Sequence, residues 1–115
     1  MGFIQISQVQ GRVPIAVYRL GDRITIGNFA ELEHSARTSY DGGMRDLIVD
    51  LSEVPALTSI GVRAIVVLHK MLSEKNGKHL KLVCPAAETR DMLDISGVTQ
   101  YIDIYGNLDE AVASF

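Results

Sequence analysis

The residue pattern points to an α/β domain over residues 1–115, a mixed but mainly parallel β-sheet packed with about four α-helices. Three observations lead there. Two strand-like stretches open the chain, and strand-like and helix-like stretches alternate after them, an order that calls for crossover connections. Leu47-Ile48-Val49 is a short continuous apolar run, as expected of a central strand covered on both faces. Finally, a chain of 115 residues is one domain and can bury roughly two-thirds of its unfolded surface, enough for a single core.

Taken in order, Phe3 to Val9 alternates loosely and reads as a strand, and Gln10-Gly11-Arg12 as a turn. Pro14 to Leu20 is a second strand, with Pro14 at its start because proline cannot donate to a ladder. Gly21-Asp22 breaks the run. Asn28 is the expected N-cap of a helix in which Phe29, Leu32 and Ala36 recur at near-helical spacing, ended by Asp41-Gly42-Gly43. After Leu47-Ile48-Val49, a helix from about Ile60 to Lys75 carries Val62, Ile65, Val66 and Leu72 on one side. Ala64, Val67, Leu68 and Met71 widen its apolar sector, so it should be largely buried, with Asn76-Gly77 closing it. His79 to Cys84 is the next strand, stopped by Pro85. Ala86 to Ile95 is helical and closed by Ser96-Gly97, and Tyr101 to Tyr105 is the last strand. Asn107 followed by Glu110 three residues on resembles a capping box for a short final helix.

Composition excludes several classes. The formal net charge of −3 leaves no basic footprint for nucleic acid. Cys84 is the single cysteine, so neither a disulfide framework nor a cysteine-based metal site can form within the chain, in keeping with a reducing compartment. No basic segment followed by an apolar stretch opens the chain, and no apolar run reaches membrane-spanning length, so a cytoplasmic protein without direct membrane insertion is expected. His34, His69 and His79 lack metal-ligand spacing and read as surface or packing residues. No phosphate-binding glycine loop is present, and Leu57 stands where a nucleophile elbow before Ser59 needs glycine. Cys84, at the end of an apolar strand, reads as a structural thiol. No metal or cofactor and no enzymatic activity are expected.

The most informative stretch runs from Asp50 to Arg63. Two adjacent hydroxyls, Thr58 and Ser59, stand where the third strand's loop meets the second helix. Ser and Thr favour helix N-caps, and the same place is favourable to an anion. Locally, then, Ser59 is either a cap or a displayed phosphoacceptor. Arg63, one turn on, is either a partner for such a phosphate or a solvated helix residue.

Asp50, Ser52, Val54, Leu57, Ser59, Gly61 and Val62 as they stand resemble the signature of the STAS domain, the family of bacterial anti-sigma factor antagonists. That signature reads roughly Asp-x-Ser-x-apolar-x-x-apolar-Asp-Ser-Ser/Thr-Gly-apolar. Thr58 replaces a frequent Asp, and Ile60 a frequent Ser or Thr. The resemblance extends to Gly21-Asp22-Arg23-Ile24-Thr25 before the first helix, to Ser96-Gly97-Val98 and Ile102-Asp103-Ile104-Tyr105, and to Asp109-Glu110-Ala111-Val112.

The resemblance implies a STAS-like fold with Ser59 as phosphoacceptor and Thr58 as second candidate. It also implies a docking surface formed by Thr58, Ser59, Ile60, Gly61, Val62 and Arg63. Unphosphorylated, such a domain binds an anti-sigma factor that is also a serine kinase, and so frees a sigma factor for transcription. Phosphorylation ends the interaction, and a serine phosphatase would reverse it. The alternative is a constitutive adaptor of a signalling assembly or lipid-transport system, never phosphorylated; Thr58 in place of Asp favours it. A small enzyme or ligand carrier on the same scaffold is a third reading. The oligomeric state is open.

Overall fold

The computed structural model describes residues 3–76 and 80–115. The chain opens with an antiparallel hairpin of β1 (Ile4–Gln10) and β2 (Pro14–Leu20), paired without interruption from Ile4 against Leu20 to Gln10 against Pro14. From there the alternation holds: α1 (Phe29–Asp41), β3 (Leu47–Asp50), α2 (Ser59–Asn76), β4 (Lys81–Val83), α3 (Ala87–Ile95), β5 (Asp103–Tyr105) and α4 (Leu108–Ala113). The strands form one sheet in the order β1-β2-β3-β4-β5, and every pairing after the hairpin is parallel. Gly77 and His79, expected to close α2 and to start β4, lie outside the described residues.

β3 occupies the centre, and all its residues are buried. Leu47 and Val49 enter the main core with Tyr18 and Leu20 of β2, Leu32 and Ala36 of α1, Ile65, Leu68 and Leu72 of α2, and Leu93 of α3. Ile48 points the other way, into a smaller cluster with Ile15, Val17, Val83 and Ala111, flanked by Leu108 and Phe115. So α1, α2 and α3 cover one face and α4 the other. Lys81 fastens α4 down: its Nζ donates to the Ser114 carbonyl at 3.1 Å and stands 4.4 Å from the Phe115 ring centre.

Several local expectations shift. The side chain of Asn28 does not cap α1. Instead its Oδ1 accepts from the Thr25 N–H at 2.7 Å, while the Thr25 hydroxyl accepts from the Gly27 N–H at 3.1 Å. The return bond is that of a capping box begun one turn earlier at Thr25, with the hydroxyl taking the N–H two residues on in place of three. α2 is buried along a narrower stripe than expected: Gly61, Ala64, Ile65, Leu68, His69 and Leu72 are buried, Val62, Val66, Val67 and Met71 half-buried, and Arg63 and Lys70 exposed. A helix packed on one face of a sheet needs only that stripe. The last strand is shorter than Tyr101 to Tyr105. Gly97 takes a left-handed φ of 82° and starts a single 3-10 turn, Val98–Gln100, whose bond from Ile102 N–H to Val98 carbonyl delays β5 to Asp103. Asn107 does cap α4, its side chain accepting from the Glu110 N–H at 2.9 Å.

Candidate functional site

β3 delivers the chain to the site through Asp50. This residue is buried at the strand's end, and its Oδ1 accepts from the Ser52 N–H at 2.9 Å. The bond makes the local turn typical of aspartate. Its other oxygen lies 3.4 Å from Nε of Arg19, a neighbour across the β2–β3 ladder whose side chain is about half exposed. Beyond the turn, Leu51, Val54 and Leu57 are buried in the main core while Ser52, Glu53 and Pro55 face water. These apolar anchors hold an otherwise irregular loop in one path, and the path ends at the first turn of α2.

There the two hydroxyls separate in role. Thr58 is the cap: its Oγ1 accepts from the Gly61 N–H at 3.5 Å, and its carbonyl receives the Val62 N–H at 3.0 Å. Ser59 is the first helical residue. It is exposed, and its hydroxyl bonds to no described residue. Gly61 is buried against Leu57: a Cβ there would lie 2.6 Å from Leu57 Cδ1 and force that methyl to shift. Thr58 and Arg63 are exposed, and Ile60 and Val62 half-buried. Arg63 makes no ion pair with any described residue.

The structure adds residues that linear reading missed. Ile26 and Phe29, at the start of α1, meet Ile60 and Val67 of α2 along an open groove of about 380 Å³, with Glu33 and Arg63 also lining it. Ile26 is 83% exposed. Helical spacing groups Phe29 with Leu32 and Ala36 on the core side. Leu32 and Ala36 are indeed buried, whereas Phe29 is only half so. The one sequence signal for this groove is Ile26 itself, an apolar residue in a polar turn.

Elsewhere the polar groups are structural. Burial pushes the Cys84 thiol above its ordinary pKa, against the opposing pull of the Arg90 charge and of a backbone hydrogen bond at Ala86. Arg90 is a cationic neighbour that sequence proximity does not reveal, yet burial wins, and a buried protonated thiol is unreactive. His34 is exposed; His69 is buried with its ring centre 5.2 Å from that of Tyr101. Among the described residues no group of three or more His, Cys, Asp or Glu could hold a metal ion, and no helix is long and apolar enough to cross a membrane.

The family model of the STAS domain matches residues 7–111, nearly the whole chain and the entire site. The chain belongs to the STAS domain family. Among curated proteins, BtrV of Bordetella bronchiseptica, which carries the name of an anti-sigma factor antagonist, is similar at 25% identity over 92 residues, 80% of this chain and 78% of that protein. Solved structures agree on the fold. An anti-sigma factor antagonist from Mycobacterium paratuberculosis superposes with a TM-score of 0.84 at 20% identity, covering 96% of this STAS domain and 91% of that chain. SpoIIAA from Bacillus, in its phosphorylated form, superposes with a TM-score of 0.70 at 18% identity, covering 95% and 96%. This STAS domain thus has the fold of anti-sigma factor antagonists.

Proposed function

We propose that this STAS domain is an anti-sigma factor antagonist switched by phosphorylation of Ser59. In its unmodified form it docks on an anti-sigma factor that is also a serine kinase, releasing a sigma factor; a serine phosphatase returns the phosphorylated protein to the unmodified form. The domain is substrate and binder, not catalyst. One observation carries the reading: the Ser59 hydroxyl is exposed and bonded to no described residue in the first turn of α2, next to Ile60, which lines the apolar groove with Ile26, Phe29 and Val67. SpoIIAA, which shares the fold, has been solved in a phosphorylated form.

The physical consequences follow from that placement. Phosphorylation adds about −1.5 to −2 charges at Ser59. The free N–H groups of the helix start favour an anion, so the fold survives. A partner covering the groove would have to desolvate the phosphate, so binding is lost without a large conformational change. Arg63, one turn along and free of ion pairs with described residues, is the nearest cation on α2 to balance the new charge.

The test combines the cognate kinase with calorimetry. Parent protein should shift on a phosphate-affinity gel and Ser59→Ala should not. Ser59→Asp should bind the partner at least about tenfold more weakly than the parent at matched stability. A shift that survives in Ser59→Ala and disappears in Thr58→Ala would move the phosphosite to Thr58. No modification of any variant beside the cognate kinase would leave the constitutive adaptor, the reading favoured by Thr58 in place of the family's usual Asp.

A further inference from the structure

The two edges of the sheet are unequal. An open edge presents unpaired N–H and C=O groups, and proteins usually protect it with short strands, charge, proline or a bulge. The β5 edge follows this practice: it has three residues, one of them Asp103, between a 3-10 turn and α4. The β1 edge does not. Its seven residues, Ile-Gln-Ile-Ser-Gln-Val-Gln, include no charge and no proline, and their register against β2 is continuous, without a bulge.

The direction of its free groups is fixed. The Gly21 N–H donates to the Phe3 carbonyl at 2.8 Å, so odd-numbered residues form the hydrogen-bonded pairs with β2. The backbone groups of Ile4, Ile6, Gln8 and Gln10 therefore point away from the sheet, and no described residue bonds to them. The Ile6 side chain is 54% exposed, beside a hollow of about 610 Å³ that it lines with Gln8, Val13 and Met44.

We infer that β1 is a self-association strand, pairing antiparallel with β1 of a second copy about a two-fold axis through Ser7. The strand is its own complement. This axis sets Ile4 opposite Gln10 and Ile6 opposite Gln8, so that outward-facing backbone groups meet outward-facing groups along the whole strand. A two-fold axis makes every contact twice, residue i against j and j against i, and an uncharged strand places no like charges across the junction. The smallest side chain of the strand lies on the axis. A second copy covers Ile6 and makes the two sheets continuous. The surface shares no residue with the groove beside Ser59, so the inference stands apart from the phosphoswitch.

Ser7 provides the test. Across the axis it would face its equivalent as a non-hydrogen-bonded pair, with Cα atoms about 4.5 Å apart, within disulfide range. Cys84 is buried and does not compete. Under mild oxidation Ser7→Cys should give a covalent dimer on a non-reducing gel. Gln5→Cys, on the same strand face but displaced from the axis, should not. By sedimentation the full chain should be dimeric, and Ile6→Lys, at an exposed position and with the same circular dichroism spectrum as the parent, should weaken the dimer at least about tenfold. A parent protein that sediments as a monomer at the highest attainable concentration would overturn the inference. So would a dimer unaffected by Ile6→Lys, or equal cross-linking through both cysteines.

Discussion

Gly61 and Leu57 are locked together: a Cβ on Gly61 would approach Leu57 Cδ1 to 2.6 Å and Cγ to 3.4 Å, and both residues are buried. The contact ties the last anchor of the loop to the third residue of α2, and so sets where Ser59 emerges. Gly61→Ala gains a little helix propensity but forces Leu57 from its place. We expect a net destabilisation of about 1 kcal/mol, since overpacking typically costs about 1–3 kcal/mol. In a Leu57→Ala background the same change should cost less, and a double-mutant cycle of denaturant melts would register that coupling.

Capping belongs to Thr58 and not to Ser59. Its hydrogen bond is long and only part-buried, so Thr58→Ala should lose about 0.5 kcal/mol, the low end for caps. Ser59→Ala should stay within about 0.5 kcal/mol of the parent. Ser59→Asp should be neutral or stabilising by about 0.3–1 kcal/mol, because a carboxylate in the first turn complements the helix dipole. Equilibrium urea melts of the three variants would check the order; a larger loss for Ser59→Ala than for Thr58→Ala would reverse the assignment.

The Arg19–Asp50 pair is asymmetric, one side chain about half exposed and the other buried. Removing Arg19 leaves space for water, and Arg19→Ala should cost no more than about 1 kcal/mol. Removing the Asp50 carboxylate leaves the Ser52 N–H without its acceptor at the turn that leads to the site. Asp50→Ala should therefore cost about 1–3 kcal/mol. Thermal melts of the two single variants should show Asp50→Ala with clearly the lower midpoint.

Tyr18 makes stability pH-dependent on the alkaline side. Burial raises its pKa above the ordinary value of 10.0, outweighing the hydrogen bond to Ser39. The unfolded chain thus releases this proton first as pH rises. Below about pH 10 the residue exerts no pH dependence; above it, stability falls until the folded state also ionises. Tyr18→Phe removes that contribution and should make the decline of the denaturant midpoint above pH 10 shallower. At neutral pH the same variant should be less stable by about 1 kcal/mol, having lost its hydrogen bonds to the Ser35 carbonyl and the Ser39 hydroxyl.

The element order, the central place of Leu47-Ile48-Val49 and the helix start at Thr58-Ser59 were all legible in the linear chain. Each rests on neighbours within a few residues: an unbroken apolar run, a period, a hydroxyl or a glycine at a boundary. Asn107 was legible as a cap for the same reason. Packing alone settled the rest. Helical spacing cannot separate Phe29 from Leu32, because what distinguishes them is the position of α2, supplied by residues some thirty positions away. The groove of Ile26, Phe29, Ile60 and Val67 exists only where those two helices meet. Only the loop's path shows that a side chain on Gly61 would displace Leu57, since that path brings Leu57 back onto the helix. α4 on the face opposite the other helices and the unguarded β1 edge likewise depend on how distant segments pack, which local periodicity does not encode.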